Sequence, residues 1–300
     1  MLSGEHAVLR GYAALVAATQ HRVTVRLKPR LDDVITIDSV LGTCEMRLET
    51  MQAERPFHFA GAAIEAASGR KLATGFDLSI EAGMPPDVGL GSSAAVTVAV
   101  YAAVSAHIHG AVPGKPDLWR ASRDIIRSVQ GIGSGADAAA SIYGGVVLYR
   151  QADGVLEEFR SRLPEVSLFY VGYKTPTAEV VDIVAKARLQ SPGTFHDLDL
   201  RMEEATRSAA DALRNGDMRA LGKCLRDGQE VMRGYGVCDT KMDELMDVLS
   251  GQTAVFATKI SGSGLGDCVL ALGKVGDPCE IAFREIPVAI GLHGVQEEVS

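Results

Sequence analysis

The chain is short of four things, and each shortage removes a class of function. Its five cysteines, Cys44, Cys224, Cys238, Cys268 and Cys279, are odd in number and show no C-x-x-C spacing, so neither a disulfide framework nor a zinc site is indicated. No stretch reaches the ~20 consecutive apolar residues of a membrane span, and the start MLSGEHAVLRG has neither a basic head nor an apolar signal core. Positive charge is scarce: the formal net charge is -8 with a sequence pI near 5.4, which argues against a protein that holds nucleic acid by bulk electrostatics. No Gly-Lys-Ser/Thr is present, so a Walker A loop is excluded. A soluble, cytoplasmic protein acting on small molecules is the expectation, with no nucleic acid and no membrane as partners.

What is present is enough apolar sequence for a sizeable core. The 300 residues are 47% hydrophobic and 23% charged, and that length favours two lobes, with a cleft as the natural ligand site. Alternation of Val23, Val25 and Leu27, and of Phe76, Leu78 and Ile80, predicts half-buried strands. The alanine-rich run Pro56 to Ser68 predicts a helix stopped by Gly69, and Ser92 to Ala106, apolar nearly all round, predicts a buried helix. Strands at Gly145 to Tyr149 and Leu168 to Val171 flank a polar stretch, a hairpin or a crossing between lobes, and the domain boundary is expected there, giving lobes 1–160 and 161–300. Helical patterns follow at Thr177 to Leu189, Asp197 to Arg214, Met218 to Arg233 and Thr240 to Leu249. Strands at Ala254 to Ile260 and Cys268 to Leu272, a short helix at Pro278 to Arg284 and a last strand at Val288 to Ile290 complete an α+β pattern. His107 and His109 lie too close in one helix to share a metal.

Three glycine-rich segments carry the chemistry. In Pro85-Pro86-Asp87-Val88-Gly89-Leu90-Gly91-Ser92-Ser93-Ala94-Ala95, two glycines allow close backbone approach and positive φ, and small residues open a helix whose free N–H groups attract anions. That is a phosphate cradle; the plain alternative is a tight turn with a serine cap. In Gln130-Gly131-Ile132-Gly133-Ser134-Gly135-Ala136-Asp137, one carboxylate stands among glycine and alanine, where solvation is poor and a few partners set its environment. Such an aspartate can orient or deprotonate a hydroxyl, or simply cap a helix. Lys259-Ile260-Ser261-Gly262-Ser263-Gly264-Leu265-Gly266-Asp267-Cys268 reads as a glycine turn between strands, able to line a cleft or merely to close a hairpin.

Together with Gly4-Glu5-His6-Ala7-Val8, these segments resemble, in order and over essentially the whole chain, the motifs of the GHMP kinase family. The resemblance implies a two-lobed fold with a ribosomal-protein-S5-like N-terminal lobe that binds ATP and a ferredoxin-like C-terminal lobe. It implies ATP and Mg²⁺ as cofactors, with Gly89, Leu90, Gly91, Ser92, Ser93 and Ala94 along the triphosphate, Ser93 as the metal ligand and Asp137 as the catalytic carboxylate. It further implies Glu5, His6, Thr177, Gly262 and Gly264 as substrate-binding positions. Within the family the chain looks most like the mevalonate kinase group, which phosphorylates mevalonate to 5-phosphomevalonate in isoprenoid precursor synthesis. Gly266-Asp267-Cys268 and Gln130-Gly131 look more like phosphomevalonate kinase, and a phosphorylated acceptor would need cations such as Lys174, Arg127 and Arg22. A sugar acceptor and a nucleotide-binding protein without catalysis are the further alternatives, and the oligomeric state, a homodimer included, is open.

Two departures from the mevalonate kinase group stand out. Its Pro-Gly-Lys would fall before Met1, so either the natural chain starts upstream, the expectation favoured by Met1-Leu2-Ser3 reading as mid-strand, or phosphate is transferred without that lysine. Its metal-binding glutamate ahead of the catalytic aspartate has no counterpart in Ile125 to Val129, and Asp124, the nearest carboxylate, reads equally as a solvated helix-face residue. Thr177, in Lys174-Thr175-Pro176-Thr177, reads either as a substrate contact or as a helix cap.

Overall fold

Antiparallel pairing brings residues from distant parts of the chain into each of two compact units, which the computed structural model describes over residues 1–69, 72–83, 89–276 and 281–298. The first unit comprises Met1–Gln20, Asp87–Gly89 and Gly144–Leu292; the second comprises His21–Pro86, Leu90–Tyr143 and His293–Ser300. A boundary at 160 therefore falls inside the first unit. The reason is pairing: β1 (Ala13–Ala17) lies antiparallel to β6 (Val146–Arg150), which carries the first residues into the later half.

The second unit is built on a four-stranded sheet, order β2-β5-β3-β4, from β2 (Val23–Pro29), β3 (Val34–Ser39), β4 (Gly42–Arg47) and β5 (Phe76–Ala82). Phe76, Leu78 and Ile80 point to one face, as their period of two requires, and join Ile35 and Ile37 of β3 in the core. Helices α1 (His58–Ser68) and α2 (Ser92–His109) add Ile64, Val100 and Val104 to the same cluster. Gly69 ends α1 in the left-handed conformation, the stop a glycine supplies without strain. Helix α3 (Lys115–Gln130), which begins with proline in its first turn, and α4 (Ala136–Tyr143) complete the unit. The β3–β4 hairpin was not expected from the sequence, although its alternating Ile35 and Ile37 carry the strand period.

In the first unit, β1, β6 and β7 (Gly154–Phe159) form one sheet, so the polar stretch after Tyr149 is a hairpin. A second antiparallel sheet runs β11-β8-β10-β9, from β8 (Val166–Lys174), β9 (Val255–Ser261), β10 (Gly266–Gly273) and β11 (Arg284–Ile286). Helices α5 (Thr177–Gln190), α6 (Pro192–Asn215), α7 (Met218–Gly234) and α8 (Thr240–Ser250) follow the predicted segments closely. Phe169, Ile260 and Val269 from the sheet meet Val184, Met202, Met232 and Leu245 from these helices in one core.

Two expectations near the C-terminus are corrected. Of the expected helix at 278–284, residues 278–280 lie outside the described residues, Ile281–Phe283 is a bend, and Arg284 begins β11, paired with Tyr170 of β8. The expected strand at 288–290 is a single bridge between Ile290 and Thr19. Among the described residues no helix is long and apolar enough to cross a membrane.

Candidate active site

The two units each carry part of the predicted machinery. In the second, α2 opens directly from the glycine loop: Gly91, at φ 77, is its N-cap, and no side chain caps the helix. Ser92 and Ser93 fill the first turn half-buried, followed by buried Ala94. Among the described residues no side chain accepts from the first-turn amides of α2, so the serine-cap alternative fails, and such amides at a helix start attract anions. Leu90 leads into this turn. Pro85 to Val88 lie outside the described residues.

Asp137 stands beside that helix start. A Cβ added to Gly91 would lie 3.5 Å from the Asp137 Cβ and 3.8 Å from its Oδ2, so glycine at 91 leaves the carboxylate room against the cradle. The backbone leading to Asp137 is held from three sides. Trp119 Nε1 donates to the Gly135 carbonyl at 3.2 Å, Arg127 Nε donates to the Gly133 carbonyl at 2.9 Å, and Ser134 Oγ accepts from the Ala136 amide at 3.2 Å. Asp137 is the second residue of α4 rather than its N-cap, which sets aside the capping alternative. It is also exposed, with buried alanines on both sides, which corrects the expectation of a poorly solvated carboxylate. Ser93 and Asp137 each carry oxygen of the type Mg²⁺ takes, while among the described residues no cluster of three His, Cys, Asp or Glu side chains gathers to hold a metal. Asp124 does not join them: its side chain is 62% exposed and pairs with Arg123. Arg22 donates to the carbonyls of His293 and Gly294, as Arg127 does to Gly133, so both guanidiniums are occupied by backbone.

The first unit holds the other motifs in a dense polar core. Gly4, at φ 99, lies so close to β1 that a Cβ would be 2.5 Å from the Ala13 carbonyl oxygen, and this seats Glu5 and His6 inside. Glu5 is 3% exposed and Lys259 1%; the lysine ammonium donates to the Glu5 carboxylate and to the Ile260 carbonyl. The other Glu5 oxygen has no hydrogen-bond partner among the described residues. His6 Nε2 donates to the Ser263 carbonyl at 2.8 Å, which makes it the protonated nitrogen. Burial pushes the His6 imidazole below its ordinary value, with the Arg10 charge acting the same way against the Ser263 bond.

Behind His6, whose ring lies 5.4 Å from that of Tyr235, Asp199 accepts from Arg10, Arg188 and the Tyr235 hydroxyl. Burial alone would raise the Asp199 carboxyl, but the Arg10 and Tyr235 hydrogen bonds and the two guanidinium charges hold it below the usual carboxylate range.

The third glycine segment closes the β9–β10 hairpin. Gly264, at φ 90, packs on Val237, where a Cβ would be 2.4 Å from the carbonyl oxygen, and Leu265 donates its amide to that carbonyl at 2.9 Å. Gly262 sits over Asp267, a Cβ there lying 3.7 Å from its Oδ2. The thiol of Cys268, next in the chain, is pushed up to about 12 by burial and the Asp267 charge, which makes it unreactive. Thr177 is exposed and begins α5 behind Pro176, with no capping bond, so the cap alternative fails there too. Thr175 instead donates to the Leu265 carbonyl at 2.6 Å.

The sequence motifs assign no role to the buried Lys259 and Asp199. Lys259 gave one signal, a charge inside an otherwise apolar strand; Asp199, on a helix rich in carboxylates, gave none.

Comparison with known proteins bears on the same segments. The family description "GHMP kinases N terminal domain" matches residues 58–145, and "GHMP kinases C terminal" matches 209–284, together more than half of the chain. A mevalonate kinase of Aeropyrum pernix is 28% identical over 286 residues, covering 92% of this chain and 87% of that protein. One from Methanothermobacter thermautotrophicus is 29% identical over 275 residues, covering 90% and 86%. The crystal structure of the Methanococcus jannaschii mevalonate kinase superposes with a TM-score of 0.80 at 20% identity, over 96% of this chain and 95% of that one, which establishes the shared fold. With the glycine loop opening α2, the aspartate beside it and both family matches in sequence order, the chain belongs to the GHMP kinase family.

Proposed function

We propose that the protein phosphorylates mevalonate on a hydroxyl at the expense of ATP, as a cytoplasmic enzyme. The observation that carries this reading is the packing of Asp137 against Gly91 at the open start of α2, which joins an anion cradle to a carboxylate within one unit. Mevalonate as the acceptor is supported by the two archaeal relatives named above, each matched along nine-tenths of this chain or more.

In the proposed reaction the amides of α2, with Gly89 and Leu90 ahead of them, hold the triphosphate, and Asp137 orients or deprotonates the attacking hydroxyl. In-line transfer of the γ-phosphoryl group then draws most of its rate from positioning and charge neutralisation. Ser93 would hold Mg²⁺, which when bound neutralises charge on the phosphate oxygens. Glu5, His6, Gly262 and Gly264 act at one remove: their contacts are to Lys259, the Ser263 carbonyl, Asp267 and Val237, so their proposed part is to shape the substrate-side wall. Thr177, exposed at the start of α5, remains a proposed substrate contact.

The test is ATP consumption with mevalonate, phosphomevalonate and a sugar panel offered in parallel. Turnover with mevalonate well above the others is expected; turnover with phosphomevalonate alone would move the assignment to the next step of the same chemistry, and none with any acceptor would sink it.

A further inference from the structure

Within the first unit, one lysine is tied to Gly89 through a single carboxylate. Gly89, at φ 66, leaves so little space that a Cβ there would be 2.2 Å from both carboxylate oxygens of Asp267. Asp267 is itself held in a left-handed conformation, φ 73, which costs a non-glycine residue free energy and persists only where surrounding structure imposes it. Its Oδ2 lies 3.2 Å from the ammonium of Lys174, whose side chain is 35% exposed against 10% for the aspartate. The lysine backbone is fixed as well, since Lys174 pairs with Gly266 across β8 and β10 and the next residue, Thr175, bonds the Leu265 carbonyl.

A carboxylate set against a loop that takes up a polyanion would repel it. An ammonium beside that carboxylate reverses the sign of the interaction for any oxygen it reaches. It carries three donors, more than Asp267 alone can take up, on a side chain more exposed than the aspartate. A compact point charge of this kind suits a phosphoryl oxygen. We propose that Lys174 binds a phosphoryl oxygen next to Gly89, with Asp267 as the positioning residue that holds it there. The inference rests on the kinase reading above and adds to it a cation that the glycine motifs alone do not supply. Two sources share the chemistry, the terminal phosphates of the nucleotide and the phosphate on a phosphorylated acceptor or product.

The experiment compares the full chain with its Lys174→Met, Lys174→Arg and Asp267→Asn variants. Calorimetric titration with ATP, ADP and AMP is run beside acceptor KM, product inhibition and thermal unfolding. Lys174→Met is expected to weaken ATP about 10–100-fold, the effect of one charge-assisted hydrogen bond, while AMP binding holds. Lys174→Arg should recover part of the loss, and Asp267→Asn should fall between them. A loss confined to product inhibition or to a phosphorylated acceptor, with ATP affinity intact, supports the same cation and assigns its phosphate to the acceptor. Lys174→Met matching the parent for every phosphorylated ligand overturns the proposal. So does an equal loss for ATP and AMP that follows a fall in melting temperature and is not rescued by arginine, since that marks a merely structural ion pair. Failure of the unaltered chain to bind ATP at all is a different result and removes the kinase reading together with this one.

Discussion

The two regions that carry the motifs are built from opposite materials. Around Gly91 and Asp137 the second unit uses glycine, alanine and serine, and leaves a helix start uncapped and a carboxylate exposed. Around Glu5 and His6 the first unit uses buried charge, each ionised group met by a partner from a distant segment. The first arrangement is cheap in stability and open to a ligand; the second is stable only while its partners are complete. Substitutions in the open region should therefore change turnover and leave folding alone, and substitutions in the closed region should act on stability first.

The largest effect tests the open side. Asp137→Asn is expected to lower turnover by about 10²–10⁴-fold, the usual contribution of a general base, with ATP affinity and melting temperature unchanged. Steady-state kinetics beside a nucleotide titration check it, and unaltered turnover would remove Asp137 from the mechanism.

Next, on the closed side, Lys259→Met strands the Glu5 carboxylate in the core and should cost about 3–5 kcal/mol of stability. Denaturant unfolding reads the loss, and adding Glu5→Gln should return much of it, because the uncompensated charge is then gone. If the single variant unfolds like the parent, the buried pair is not what holds that wall.

A smaller change is expected from Gly264→Ala, which forces a Cβ toward the Val237 carbonyl at positive φ and should cost about 1–3 kcal/mol. Equal stability of this variant would mean that the hairpin can shift as a body.

The smallest effect is a pH dependence. His6 titrates below its ordinary value in the folded protein, so between that lowered value and about 6.5 the unfolded chain binds more protons than the folded one. Stability should therefore be intact above about pH 6.5 and decline as pH falls through that window. Melting temperature followed against pH should show a shallower acid slope in His6→Gln. An identical slope would mean that other groups control the acid side.

How much of this was legible follows from how local each signal is. Helices such as α1 and α2 announce themselves by composition and by glycines at their ends, and the glycine-serine loop lies within eleven consecutive residues. Asp137 was readable because its neighbours are too small to hide it, yet its exposure was not, since that depends on what packs nearby. The Glu5–Lys259 pair joins positions 254 apart, and no pattern within either segment encodes it. Residues 281–286 misled for a related reason: their turn into β11 is decided by the edge of β8, to which Arg284 pairs, rather than by local helix propensity.

The pairing of β1 with β6 also has a consequence for how the molecule is made. Nearly all of the second unit, from His21 to Tyr143, is contiguous on emerging from the ribosome, apart from the few residues that belong to Asp87–Gly89, and only the His293–Ser300 segment that Arg22 meets is still to come. Met1–Gln20 leave the tunnel ahead of that unit, but their strand, their ion pair and their arginine contact wait for residues 146, 259 and 199. Translation thus finishes most of the second unit early and holds the segment before it in reserve, so ribosome-stalled chains ending before residue 259 should protect the former from protease and not the latter.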